Sequence, residues 1–104
     1  MFLDECVPSR LGRELVGHEV RSVPEMGWVS KENGALLGVA EGKFDVFLTT
    51  DQRISYQQVV PRFAIALVVL VAHRNTIEFL LRLVPELRQV LDRVKPGQVY
   101  WVGV

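Results

Sequence analysis

The sequence predicts an α/β fold, a three-layer α/β/α domain built on a mostly parallel sheet of about five strands. Three observations carry this expectation. Short strand-like runs are interleaved with runs at helical spacing, in the order β-α-β-α-β-loop-β-α-β, which calls for crossover connections between parallel strands. The run from Phe63 to Val71 is almost wholly apolar and rich in β-branched residues, the signature of a strand buried on both faces. The chain has 104 residues, 49% of them hydrophobic, enough for one core and a single domain over residues 1–104.

Each element follows from local chemistry. Phe2-Leu3 begins a strand that must end by Pro8. Ser9 is placed to cap a helix whose Leu11, Leu15 and Val16 repeat at helical spacing, and Gly17 stops it. His18 to Val23 alternates with period two, as a half-exposed strand does. Residues 24–30 form a loop or a single turn carrying Met26 and Trp28. Asn33 is placed to cap a helix through Leu36, Leu37, Val39 and Ala40, with Gly42 as its stop. Asp45 to Thr50 makes a third strand. The polar stretch DQRISYQQVV, residues 51–60, has no clear period and reads as a loop. After the fourth strand, Asn75 and Glu78 form a capping box. The helix that follows is striped by Ile77, Leu80, Leu81, Val84, Leu87 and Leu91. Pro85 interrupts the stripe and must kink the helix or begin a second segment, since it has no N–H to give. Gln98 to Val104 makes a last strand, antiparallel or at an edge.

Composition excludes several functions. Twelve Lys and Arg balance twelve Asp and Glu, which excludes a nucleic-acid binder relying on bulk positive charge. A single cysteine, Cys6, excludes an internal disulfide and a Cys-based zinc site. Asp4 and Glu5 stand where a signal peptide would be apolar, so the expected location is cytoplasmic. The run from Phe63 to Ala72 is too short for a membrane span, which takes about 20 residues.

In open α/β sheets, ligands bind beyond the carboxyl ends of the strands. That rule sorts the charged residues. Asp4 and Glu5 fall at the end of the first strand, Asp51 at the end of the third, and His73, Arg74 and Asn75 past the fourth. Asp45 falls at the opposite end and is set aside. Asp4 and Glu5 can share a crevice only if the strand has already ended, because strand neighbours face opposite ways. Paired carboxylates repel and need a proton or a cation. Hard oxygen ligands with open positions suit Mg²⁺ or Mn²⁺, which supports phosphoryl chemistry. Arg53, Arg62, Arg74 and Arg10 are expected around the crevice as phosphate-holding groups, and Tyr56 is a candidate for stacking on a base. His18 reads as a turn residue, and Cys6 as a small buried one. The terminal Val99-Tyr100-Trp101-Val102 run, apolar on both faces, invites pairing with a partner chain, either a second copy or a different protein.

The segments Phe2-Leu3-Asp4-Glu5-Cys6-Val7-Pro8, Gly17-His18-Glu19-Val20, Met26-Gly27-Trp28, Asn33-Gly34-Ala35-Leu36-Leu37 and Phe44 to Asp51 resemble the PIN-like family, in particular small bacterial proteins of the DUF5615 type. The resemblance covers most of the chain and is weakest after Asn75. It implies a PIN-like domain acting as a Mg²⁺- or Mn²⁺-dependent ribonuclease, often the toxin of a toxin–antitoxin pair, with RNA as substrate and an antitoxin protein as partner. It maps catalytic and metal-binding acids onto Asp4 and Asp51. A further acid of the family pattern falls on Asn33, with Glu32 adjacent, and Glu5 is a further candidate ligand. A downstream acid has no counterpart. Asn33 in an acid position leaves open a second reading, a PIN-like module that binds RNA or a protein without cutting. A phosphoacceptor receiver domain is a more distant third, because Lys95 precedes the last strand instead of ending it.

Overall fold

The computed structural model describes the 104-residue chain apart from Val16, Ser30 and Arg53, and apart from the side chains of Asn33, Ile54 and Ser55. Among the described residues, β1 (Phe2–Leu3), β2 (Arg21–Ser22), β3 (Val46–Thr49), β4 (Ala66–Leu70) and β5 (Val99–Val102) form one five-stranded sheet in the order β2-β1-β3-β4-β5. Every pairing is parallel. All carboxyl ends therefore lie along one edge. The last strand is at an edge, as expected, and it is parallel. Phe2 pairs in register with Arg21 on one side and Phe47 on the other.

The helices are α1 (Ser9–Arg13), α2 (Asn33–Ala40), α3 (Ile54–Val59), α4 (Ile77–Leu81) and α5 (Val84–Leu91), with a 3₁₀ turn over Val60–Arg62. Alternation along the strands splits the core in two, as period-two geometry requires. Leu3, Leu48, Val68 and Val102 face Leu11 of α1, Leu80 of α4 and Leu87 and Val90 of α5. Phe2, Phe47, Leu67 and Val69 face Leu36, Leu37 and Ala40 of α2 and Tyr56 of α3. The result is the expected three-layer α/β/α arrangement. Both faces of β4 are filled, and all five of its residues are buried, which explains its unbroken apolar run.

The two faces also fix the relative hand of the crossovers. The units through α2 and α3 move the same way along the sheet and cover one face, and the unit through α1 moves the other way on the other face. These three share one hand, which the near-universal rule makes right-handed. The unit through α4 and α5 moves with the α2 and α3 units yet covers the α1 face, so its hand is opposite. To reach that face, the chain leaving β4 returns toward the end of β1. Asn75 Nδ2 there donates to the Cys6 carbonyl at 2.9 Å.

Several local expectations shift. The polar stretch after Asp51 is α3 and the 3₁₀ turn, not a loop. The second strand shrinks to Arg21–Ser22, because β1 offers it only Phe2 and Leu3 to pair with. Ser9 and Asn33 sit inside the first turns of their helices, and the N-caps are Pro8 and Glu32. Thr76, not Asn75, caps α4. Pro85 begins a second helical segment, in the first turn of α5, where its missing N–H costs nothing. No helix among the described residues is long and apolar enough to cross a membrane.

Candidate functional site

The parallel order reverses direction between β1 and β3, since β2 lies to one side and β3, β4 and β5 to the other. Such a switch point leaves a crevice at the carboxyl edge. A cleft of about 330 Å³ occupies that place, bordered by Asp4, Glu5, Cys6, Thr50, Asp51 and Tyr56. Larger hollows of about 390 and 450 Å³ lie elsewhere, one against Met1, Asp45 and Lys95 and one against α1 and β2. Size favours those two, but strand polarity and the convergence of acids favour the smaller cleft.

Asp4 follows directly from the register. Leu3 pairs with Leu48, so one residue further Asp4 comes beside Thr49, on the face of Phe2 and Phe47. The Asp4 backbone N–H still bonds to the Leu48 carbonyl at 2.9 Å, which holds the residue in the extended line of β1. The residue as a whole is 7% exposed. Oδ1 accepts the Glu5 N–H at 2.9 Å, and Oδ2 accepts the Thr49 hydroxyl at 2.7 Å. The Cys6 thiol lies 3.6 Å from the same Oδ2. A carboxylate has about four acceptor sites, so Oδ1 retains room for a further partner. Among the described residues no lysine, arginine or histidine forms an ion pair with Asp4.

Thr49 couples the two strand ends. Fully buried, it donates to Asp4, and its Oγ1 accepts the Asp51 N–H at 3.0 Å. Thr50 donates to Cys6 Sγ at 3.1 Å, which ties the turn after β1 to the end of β3 a second time. Thr49→Val keeps the shape and removes both bonds. Taking the Thr49 hydroxyl away from both the Asp51 N–H and the Asp4 carboxylate should cost about 1–3 kcal/mol. In urea titration the midpoint is expected to fall with unchanged slope, and Thr49→Ser should recover most of the loss.

The candidate residues separate as follows. Asp4, Asp51, Glu5 and Tyr56 border the cleft together. Glu5 can do so because β1 ends at Leu3, and its side chain is exposed. Tyr56 is 6% exposed and packs edge-on against Phe47, with centroids 5.0 Å apart, so packing takes most of its ring. Glu32 is exposed at the start of α2 and does not border the cleft. The Asn33 side chain and all of Arg53 lie outside the described residues. Arg74 and His73 are exposed beyond β4, on the correct edge but not on the cleft's border. Arg62 precedes β4 and so lies at the amino edge, away from the crevice expected to hold it. Lys95 likewise borders the hollow with Met1 and Asp45. His18 is a turn residue, its N–H bonded to the Leu15 carbonyl, and Trp28 packs on Phe2 and Phe44.

Sequence reasoning passed over Thr49, Thr50 and Cys6 as parts of the site. The available signal was two hydroxyl residues directly before the acid that ends a strand. Although four acidic or thiol side chains border the cleft, no three His, Cys, Asp or Glu among the described residues gather tightly enough to hold a metal ion between them. Compared with known proteins, the chain matches no family model, no curated protein and no solved structure.

Proposed function

We propose that the cleft binds a divalent cation together with an RNA phosphate, and that the protein is a metal-dependent ribonuclease of PIN-like type. One observation carries the reading: Asp4 and Asp51, delivered by adjacent parallel strands, border one cleft at the sheet's switch point. A buried carboxylate with an open acceptor site and no basic ion-pair partner among the described residues is stabilised by a cation. The donor set fits Mg²⁺ or Mn²⁺, which take one or two carboxylates and complete their shells with water and substrate phosphate. Such an ion supplies neutralisation of phosphate charge and a lowered pKa for a bound water. The chain's own residues do the rest. Thr49 and the Glu5 N–H hold the Asp4 carboxylate in one orientation, Thr49 fixes the backbone of Asp51, and Arg74 stands on the same edge for a neighbouring phosphate. In this reading the protein acts in the cytoplasm, and the resemblance to toxins of the family makes an antitoxin protein its partner.

The missing third ligand favours a second reading, a module that binds RNA or protein without cutting. Incubation of the purified protein with structured and single-stranded RNA, with Mn²⁺, Mg²⁺ or EDTA, separates the two. Cleavage that needs the metal and falls at least a hundredfold in both Asp4→Asn and Asp51→Asn supports the nuclease. RNA binding with no cleavage in any metal supports the module. A phosphoacceptor role for Asp51 has no such support, because Lys95 lies against Met1 and Asp45, at the far end of the strands.

A further inference from the structure

We propose that the hollow at the amino edge of the sheet is a second site, which binds an apolar α-amino acid as its zwitterion. This inference is independent of the chemistry in the cleft. The hollow, about 390 Å³, is of the size that small molecules occupy. Every strand pairing is parallel, so all amino ends lie on the edge opposite Asp4 and Asp51. Asp45 directly precedes β3 there, and Lys95 comes shortly before β5. The helices covering this face leave the space open. α1 has ended at Arg13, and just beyond it the Arg88 guanidinium of α5 donates to the Glu14 carbonyl. Residues that follow this bridge in each segment border the hollow, His18 on one side and Leu91 and Val94 on the other. Val46, the buried first residue of β3, completes an apolar wall with Leu91 and Val94.

The polar residues of the rim have fixed backbones and unengaged side chains. The Asp45 carbonyl accepts the Ala66 N–H at 2.9 Å, the Lys95 N–H donates to the Tyr100 hydroxyl at 2.9 Å, and the His18 N–H donates to the Leu15 carbonyl at 3.2 Å. Among the described residues, none of these three side chains forms a hydrogen bond or an ion pair. Asp45 attracts the Met1 amine only through space, and that amine donates to the Glu19 carbonyl at 3.0 Å. Asp45 and Lys95 do not pair with each other, because β4 stands between the strands they precede, a separation of two strand spacings or about 10 Å. A molecule lying between them meets a carboxylate on one side, an ammonium and an imidazole on the other, and an apolar wall. An amino acid with an apolar side chain answers all three. Its ammonium faces Asp45, its carboxylate faces Lys95 and His18, and its side chain lies against Val46, Leu91 and Val94. A simple anion would be repelled by Asp45, and a wholly apolar molecule would leave both charges without a partner.

Titration of the purified protein with L-leucine and L-phenylalanine, followed by amide chemical shifts, tests the site. At least one of them should bind with a dissociation constant of about 1 mM or below. It should move the amides of Val46, Leu91 and Val94 and leave those of Asp4 and Asp51 in place. Isocaproate and hydrocinnamate lack the ammonium, and isoamylamine and phenethylamine lack the carboxylate. Each should bind about tenfold more weakly than its parent amino acid. Asp45→Asn should abolish the preference for the amino acid over the acid, and Lys95→Met the preference over the amine. Both positions are exposed, so both variants should fold, with wild-type shifts away from the hollow. Failure of both amino acids to bind at about 10 mM overturns the proposal. Shifts centred elsewhere in the chain, or preferences that survive both substitutions, overturn it as well.

Discussion

Mn²⁺ at about a hundredfold excess over its dissociation constant should raise the melting temperature of the wild type by about 10–20 °C. Binding to the folded state alone contributes about 2.7 kcal/mol at that excess, and each kcal/mol moves the transition of a domain this size by about 4–8 °C. Asp4→Asn and Asp51→Asn should each lose most of the shift. Without metal, the change at Asp4 also reaches the fold. Asp4→Asn replaces an acceptor that takes the Thr49 hydroxyl and the Glu5 N–H with a group that also donates. It should therefore melt somewhat below the wild type. Calorimetry with Mn²⁺, Mg²⁺ and EDTA reads all three proteins. An unchanged wild type in every metal would mean that the chain alone holds no ion, and the binding module would then be the better reading.

The fold class was legible because its two strongest signals are local. A strand buried on both faces must be apolar at every position, and β4 is. Alternation of strand and helix in the chain demands crossovers. The acid pair was legible by the same route, since parallel strands put every carboxyl end on one edge. What stayed hidden depends on contacts distant in sequence. Ile54 to Val59 has no apolar stripe of its own; α3 is held by Tyr56 against Phe47 and by Val60 in the core. The length of β2 is set by β1, its one neighbour among the described residues. The opposite hand of the last crossover depends on which face α4 and α5 cover, and an amphipathic stripe does not specify a face of the sheet. Thr49 and Cys6 gained roles only when the register placed them beside Asp4. Arg62 falls at the amino edge because α3 and the 3₁₀ turn carry the chain there after Asp51, directly before β4.

Phe47→Ala should be among the most destabilising single substitutions, costing about 3–5 kcal/mol from lost burial and the cavity left behind. Phe47 is fully buried at the centre of β3. Its ring stacks on Phe2, with centroids 4.3 Å apart and planes 13° from parallel, and meets the edge of Tyr56. Such pairs add about 0.5–1.5 kcal/mol beyond burial. Against a total stability of about 5–15 kcal/mol for a typical domain, the loss is large, and the melting temperature should fall by about 15–30 °C. Phe47→Leu keeps an apolar side chain in the space and should cost clearly less. The consequence reaches the cleft, because Asp4 and Thr49 continue the same face by two residues, directly beyond the Phe2–Phe47 pair. Tyr56, which borders the cleft, loses the ring it leans on. In Phe47→Ala the Mn²⁺ shift should therefore shrink even at temperatures where the protein remains folded, whereas Phe47→Leu should retain it. Equal Mn²⁺ shifts in the two variants would show that the Asp4–Thr49–Asp51 linkage holds the cleft without aromatic support beneath it.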